Sequence, residues 1–339
     1  MNGFLNIRKP VGMSSAAVVG VLKRLTGEKR IGHAGTLDPE AAGVLPVMLG
    51  RATRLFDYLV DKEKEYEAVC AFGTATDTQD ATGNVTERGE GWPDAERIRE
   101  MLPRLTGDIL QKPSMYSAIK LGGRHLYDLA RAGKTAEVPE RMVHVERIEL
   151  TGEEPDHGFR LRIVCGKGTY IRSICHDLGQ LCGCPAHMRS LVRTRSGFFR
   201  LEEGLTLEEA RELAAAGTLA ERLTPMDAPL GHLRRMQAPG WMAKWVNAGA
   251  RMPLEKMQGD APPEGGITRV YLGDSFRGIA QRQGAELAWR MQIPPEAFPA
   301  PEEDPRDGAA EKTEEQGERD ATDPDRDPDG AESHCPGDL

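Results

Sequence analysis

Apolar positions recur with two different periods along the first 225 residues, and the alternation of the two carries the fold prediction. A short apolar run at residues 4–7 has strand length. Ser14 or Ser15 then caps a helix whose apolar positions Val18, Val19, Val21, Leu22 and Leu25 form one face. Residues 49–59 predict a second helix, and residues 66–72 a strand stopped by Gly73. Trp92-Pro93-Asp94 introduces a helix through about residue 102. Phe159, Leu161 and Ile163 alternate with Arg160 and Arg162, the pattern of a half-buried strand. Thr169 is placed to cap the helix that follows, with Ile171, Ile174, Cys175 and Leu178 on its apolar face and Arg172 on a different one. Thr206 and Glu209 have capping-box spacing ahead of a helix that ends at Gly217. Strands interleaved with single helices predict an α+β domain built on a mixed sheet, spanning residues 1–225.

Three segments depart from that pattern. Residues 116–142 alternate glycine with lysine and arginine around a short helical pattern at 126–130, and read as a mobile basic insertion. After Pro225-Met226 the chain carries short strand patterns, notably 268–272 and 276–280, separated by Gly and Pro; residues 226–298 are expected to form a small β-rich domain. From 299 to 339 the chain is rich in Asp, Glu, Pro and Gly and lacks aromatic residues, so it is expected to be disordered. This tail also distorts the net charge of −9: residues 301–339 carry 15 Asp/Glu against 4 Lys/Arg, which leaves the rest of the chain at +2. Residues 112–200 alone reach +6, a balance suited to a polyanionic partner.

The six cysteines form no C-x-x-C pair, and the irregular group Cys175, His176, Cys182, Cys184 and His187 reads as helix and loop residues, so no metal is expected. Free thiols, the lack of a charged-then-apolar leader and the lack of any run approaching about 18 apolar residues lead to the expectation of a cytoplasmic protein with no membrane partner.

The candidate chemistry lies in residues 31–54, I-G-H-A-G-T-L-D-P-E-A-A-G-V-L-P-V-M-L-G-R-A-T-R. Gly32, Ala34, Gly35, Ala41, Ala42 and Gly43 crowd small residues around Asp38, which lets backbone approach a bulky ligand. Pro39 keeps Asp38 out of the helical region. A lone Asp-Pro is more often a turn, and the length of the pattern is what argues otherwise.

The stretch G-H-A-G-T-L-D-P-x-A-x-G-V-L-P-V resembles the catalytic loop of the TruB family of tRNA pseudouridine synthases. Further matches follow in family order: K-P-V-G at 9–12, K-E-Y-E-A at 64–68, Q-K-P-S-M-Y-S-A-I-K at 111–120, C-G-K-G-T-Y-I-R-S-I at 165–174 and G-C-P-A-H-M-R-S-L-V-R-T-R-S-G from 183. Together they cover about two thirds of the chain. The resemblance implies a catalytic domain with a basic RNA-binding insertion, followed by a small β-barrel similar to a PUA module. It implies isomerisation of the T-loop uridine of tRNA, position 55, with the nucleotide flipped out of its stack and neither metal nor other cofactor required.

The resemblance assigns the attacking carboxylate to Asp38 and offers Arg172 as the group that aims it. Tyr66 would stack on the flipped base or take a sugar proton. His33 would hold the opened RNA loop, Tyr170 would pack in the pocket wall, and Leu191 would bound the uracil. Lys9, Lys167 and Arg193 are candidates for phosphate contacts, and each reads equally as a solvated surface charge. The implied partner is the T-arm of tRNA, bound by a monomer. A nucleic-acid N-glycosylase would use the same carboxylate and release the base, and a non-catalytic tRNA binder or folding chaperone would not need Asp38 at all. A guide-RNA-dependent relative would be expected to carry basic tails, whereas this tail is acidic.

Overall fold

Strand β1 (Gly3–Lys9) buries every residue but Arg8. Helix α1 (Ser15–Thr26) starts where Ser14 accepts a hydrogen bond from the Ala17 N–H, and ends at Gly27 in the left-handed region. A short strand β2 (Ile31–His33) and the Asp38 loop lead to β3 (Ala41–Leu49), which pairs antiparallel with both β1 and β2. The helix expected over 49–59 begins instead as a 3-10 turn, Gly50–Leu55, and becomes α-helical only at Phe56–Val60. Gly50 has φ +58°, and a Cβ there would lie 2.2 Å from the Met1 carbonyl oxygen, so the tight turn needs glycine.

The rest of the main sheet comprises β4 (Lys64–Phe72), β5 (Gly107–Gln111), β6 (Arg141–Glu154), β7 (Gly158–Cys165) and β8 (Ala186–Ser196). Helix α2 (Ala95–Met101) precedes β5, α3 (Ile171–Cys182) connects β7 to β8, and α4 (Leu207–Ala215) follows β8. The strand order is β1-β3-β8-β4-β7-β6-β5, with β2 and the short strand Phe199–Arg200 completing a nine-stranded sheet. All of these neighbours are antiparallel except β8 against β3, where Leu191, Val192 and Arg193 face Ala41, Ala42 and Gly43 in parallel register. The mixed sheet and its helices give the α+β class expected. The structure, a computed structural model, describes residues 1–294 apart from 61, 118–119, 122–123, 132–135 and 137.

Tyr66, Ala68, Cys70 and Phe72 of β4 share one face and pack with Ile171, Ile174, Cys175 and Leu178 of α3 and Ile98 of α2. Burying each large aliphatic side chain there contributes about 1.5–3 kcal/mol, which fixes α3 against the sheet. A second core joins Leu5 and Ile7 of β1 and Leu45, Val47 and Leu49 of β3 to Val18 and Leu22 of α1 and Ala210 of α4. The capping box at Thr206 and Glu209 forms as its spacing predicts. Thr169 does not cap α3. Its hydroxyl donates to the Gly166 carbonyl at 3.2 Å, and Tyr170 occupies the cap position with no side-chain cap bond.

Residues 234–292 form a separate six-stranded sheet, whose principal strands are β9 (Arg234–Ala238), β10 (Ile267–Leu272), β11 (Ser275–Gln283) and β12 (Glu286–Gln292). It has its own core of Met236, Met242, Val246, Met252, Val270 and Leu287. Within 116–142, a helix spans Leu126–Arg131, as its pattern predicts, and strand β6 already begins at Arg141. The expected acidic tail lies outside the described residues.

Candidate active site

The Asp38 loop is held by its backbone. Ser15, buried at the start of α1, accepts from the Leu37 N–H at 2.9 Å and donates to the Leu37 carbonyl at 3.0 Å. The Gly12 N–H donates to the Pro39 carbonyl and the Ala41 N–H to the Asp38 carbonyl. Lys9, on β1, is 1% exposed. Its ammonium donates to the carbonyls of Pro10, Met13 and Pro39 at 2.8, 2.5 and 3.1 Å. Arg193, also 1% exposed, donates to the carbonyls of Val44, Thr36 and Gly35 at 2.8, 3.3 and 3.1 Å. Neither cation is presented to solvent as a phosphate contact or a surface charge would be. Both are spent on backbone carbonyls, Lys9 tying Pro39 of the loop to the turn after β1 and Arg193 tying Gly35 and Thr36 to β3, because a buried charge must find fixed dipoles when it loses water. Burial lowers the Lys9 pKa to about 8, against the opposing attraction of Asp38 and Glu40.

Two strands must approach closely for Arg193 to reach this loop. Gly43, at φ +108°, permits it: a Cβ there would sit 2.2 Å from the Arg193 carbonyl oxygen.

Arg172 enters from the first turn of α3 and is 5% exposed, whereas the Asp38 side chain is 42% exposed. Its Nη2 lies 2.9 Å from Asp38 Oδ2 and donates to the Tyr116 carbonyl at 3.0 Å. Its Nη1 donates to the Thr78 carbonyl at 3.0 Å and to Ser114 Oγ at 3.4 Å, and lies 3.6 Å from Asp80 Oδ2. Asp80 is fixed in turn: its Oδ1 accepts from the Thr78 hydroxyl, the Thr82 hydroxyl and the Thr82 N–H at 2.7, 2.6 and 3.0 Å. The arginine is thereby aimed from behind by a buried carboxylate and two carbonyls, and offers one nitrogen to the accessible carboxylate in front.

These groups line a cleft of about 280 Å³, whose wall includes Asp38, Lys64, Tyr66, Tyr170, Arg172 and Leu191. Tyr66 faces Arg193 across the β4–β8 pair, and burial raises its phenol pKa. Burial does the same to Tyr170, with the Arg141 guanidinium 5.7 Å from the centre of its ring opposing the shift. Leu191 is 7% exposed on β8. Lys167 stands exposed in the wall. His33 is not part of the wall. It lies on β2, burial and then Arg193 lower its pKa, and its buried Nδ1 has no hydrogen-bond partner among the described residues.

The structure therefore brings together Asp38, Arg172, Tyr66, Tyr170, Leu191, Lys167 and Arg193, and places Lys9 directly behind the loop. Sequence reasoning missed Ser15 and Asp80. The run T-D-T-Q-D-A-T at 76–82 carried a signal for the latter, since clustered Asp and Thr side chains fold back on their own backbone. Among the described residues no group of three or more His, Cys, Asp or Glu is arranged to hold a metal ion. The chemistry on offer is that of an accessible, arginine-aimed carboxylate in a cleft with aromatic and aliphatic walls.

The arrangement is that of a pseudouridine synthase. The fold aligns with Cbf5 in a Cbf5–Nop10–Gar1 complex at a TM-score of 0.68 and 26% identity, covering 88% of this chain and 87% of that one. It aligns equally well with a chain of an H/ACA ribonucleoprotein bound to a substrate RNA containing 2′-deoxyuridine (TM-score 0.68, 24% identity), a likeness of fold. The chain belongs to the TruB family: residues 23–171 match the TruB family pseudouridylate synthase N-terminal domain, and residues 172–231 match the tRNA pseudouridylate synthase B C-terminal domain. Relatives named tRNA pseudouridine synthase B include those of Bacillus licheniformis, 45% identical over 74% of this chain and 82% of the relative, and Bacillus subtilis, 42% identical over 74% and 83%. That of Heliobacterium modesticaldum is 40% identical over 86% of this chain and 94% of the relative.

Proposed function

We propose that this protein isomerises the uridine at position 55 in the T-loop of tRNA to pseudouridine, with Asp38 as the attacking carboxylate. The observation that carries the assignment of Asp38 is its pairing: an accessible carboxylate 2.9 Å from a buried arginine, at the wall of a cleft large enough for a nucleoside. The reaction breaks the bond between N1 of the base and C1′ of the ribose, turns the base, and closes a new bond from C5 to C1′; C5 loses its proton and N1 gains one, so the product is an isomer of the substrate. Asp38 serves either by attacking C1′ directly or by assisting elimination to a glycal-like species and recapture of the base. Both routes place the carboxylate at the sugar–base junction.

The target nucleotide must be extruded to reach it, at a cost of a few kcal/mol. Stacking on Tyr66 and contact with Leu191 offset that cost, while Tyr170 closes the wall. Lys167 supplies a phosphate contact at the mouth, and His33 helps hold the opened loop. The partner is the T-arm of tRNA, bound by a monomer. Residues 1–225 act as the catalytic domain, the segment 116–142 as its RNA-binding insertion, and residues 226–298 as a PUA-like appendage; the separate sheet and core of 234–292 support that division. Among the described residues no helix is long and apolar enough to cross a membrane, and action on tRNA supports a cytoplasmic location.

The test is to incubate unmodified tRNA transcript with the protein and map pseudouridine. Wild-type protein converts the T-loop uridine without releasing uracil. Asp38→Asn yields none, while its tRNA affinity stays within about tenfold, because the amide keeps shape and loses nucleophilicity. Pseudouridine formed by the Asn variant overturns the role of Asp38, and free uracil in the wild-type reaction makes the protein a glycosylase.

A further inference from the structure

Gln111 is the last residue of β5, at the point where the chain leaves the sheet for the segment that reaches Ser114 and Tyr116. It is 0% exposed. Its side-chain amide is committed twice to one peptide residue on another element: Nε2 donates to the Tyr170 carbonyl at 3.1 Å, and Oε1 accepts from the Tyr170 N–H at 3.0 Å. Only one orientation of the amide satisfies both partners. Tyr170 is the cap residue of α3 and lacks a side-chain cap bond, while its carbonyl already accepts the first helical bond, from the Ile174 N–H at 3.2 Å. The start of α3 is therefore set from the sheet by Gln111. Arg172 stands two residues further on, in the same first turn, with its Nη2 on Asp38.

We propose that Gln111 is a positioning residue for the reaction: by clasping the Tyr170 backbone it fixes the first turn of α3, and with it the approach of Arg172 to Asp38. This rests on the pseudouridine synthase reading of the site. The same first turn also carries the ring of Tyr170 in the cleft wall, so one buried amide orients a wall residue and the carboxylate's partner together. A buried amide that only maintained the fold would change stability and leave the turnover of folded molecules alone. A positioning amide changes kcat, because a displacement of the order of 1 Å in a reacting group costs up to about 100-fold in rate.

The experiment measures kcat and KM for pseudouridine formation in wild-type, Gln111→Leu and Gln111→Glu proteins, with the folded fraction of each set by thermal unfolding. Gln111→Leu removes both bonds, and its kcat falls roughly 10- to 100-fold while KM stays within about threefold. Gln111→Glu supplies a pH signature. A protonated carboxyl donates to one partner and accepts from the other as the amide does, whereas the carboxylate has no proton for the Tyr170 carbonyl. Burial raises the pKa of such a carboxyl. The ratio of Glu-variant to wild-type kcat is thus near one at pH 6 and falls toward pH 9.

The titratable neighbours do not mimic this decline. Arg141 lies opposite Gln111 across the sheet and Arg172 two residues beyond Tyr170, both present in the two proteins and so cancelled in the ratio, and burial raises the Tyr170 phenol pKa above its ordinary value. Wild-type kcat in Gln111→Leu, or a Glu-to-wild-type ratio that is flat from pH 6 to 9, overturns the proposal; if Gln111→Leu does not fold, the ratio alone decides. Wild-type protein that forms no pseudouridine in the same assay refutes the underlying function instead, so the two failures are distinguishable.

Discussion

Replacing Arg172 with lysine separates charge from geometry at the site. The guanidinium presents two nitrogens to five groups: Asp38 and the Tyr116 carbonyl on one side, and the Thr78 carbonyl, Ser114 and Asp80 on the other. An ammonium is a single point with three donors and cannot occupy both nitrogen positions. A lysine that stays near Asp80 and Thr78 loses Asp38, and one that reaches Asp38 leaves the buried groups behind it unpaired. The contact to Asp38 is a charge-assisted hydrogen bond worth about 1.5–3 kcal/mol, and if it is fully realised only with the carboxylate in its reactive position, its loss slows the chemical step by about 10- to 150-fold. Stability falls less, by about 1–3 kcal/mol, for the polar groups left imperfectly paired. The 42% exposure of Asp38 lets water resolvate that carboxylate, so none of the stability loss is assigned to it. Single-turnover pseudouridine formation on tRNA transcript, with affinity measured separately, checks the split: the rate falls and the Kd moves less than about threefold. A lysine variant with a wild-type single-turnover rate would refute the two-pronged account, and one with an intact rate and weakened binding would make Arg172 a phosphate contact.

Gly43→Ala is expected to destabilise the fold by about 2–4 kcal/mol, since its Cβ would collide with the Arg193 backbone at 2.2 Å on a positive-φ residue; an unfolding midpoint equal to wild type would show that β3 and β8 separate without cost. For Lys9, the folded-state pKa of about 8 lies below the unfolded value of about 10.4, so between those pH values the unfolded chain binds more protons and stability rises with pH. Denaturant unfolding at pH 6, 7, 9 and 10.5 should show this rise in wild type relative to Lys9→Met, with the two slopes converging below about pH 7. Parallel curves across that window would mean that the ammonium is not desolvated.

The residues that line the candidate site were largely legible from residue types and spacing, and the support behind them was not. Asp38, Tyr66 and Arg172 come from three separate segments, and matching the family's motifs brought them together before any geometry was known. The strand parity of Lys9 and Arg193 was available and unused. Lys9 continues the Leu5 and Ile7 face of β1, and Arg193 continues the Leu191 face of β8, both facing the core. Reading them as surface charges followed charge rather than period. The Thr169 cap failed for a different reason: the helix starts one residue later, with Tyr170 at the cap position, and the Thr169 hydroxyl donates to the Gly166 carbonyl three residues back. Gln111 continues the inward face of Ile109 on β5, but strand parity does not name a partner, and the contacts of Gln111 and Asp80 lie with residues 59 and 92 positions away.

The division between exposed and buried charge has a consequence for how binding energy is used. Lys9, Arg193 and Ser15 fix the backbone on both sides of Asp38, and the Asp80–Arg172 pair fixes its side-chain partner, all through bonds within the chain. A loop that had to be ordered by substrate would consume binding energy in losing its own conformational freedom. Here the loop is already tied at Gly35, Thr36, Leu37, Pro39 and Val44. Binding energy from the tRNA is then available for a different cost, the extrusion of one nucleotide from its stack. On that argument, variants that loosen the loop from behind should act like partial losses of the substrate's own contacts: they divert binding energy into ordering Asp38 and leave less for flipping the base.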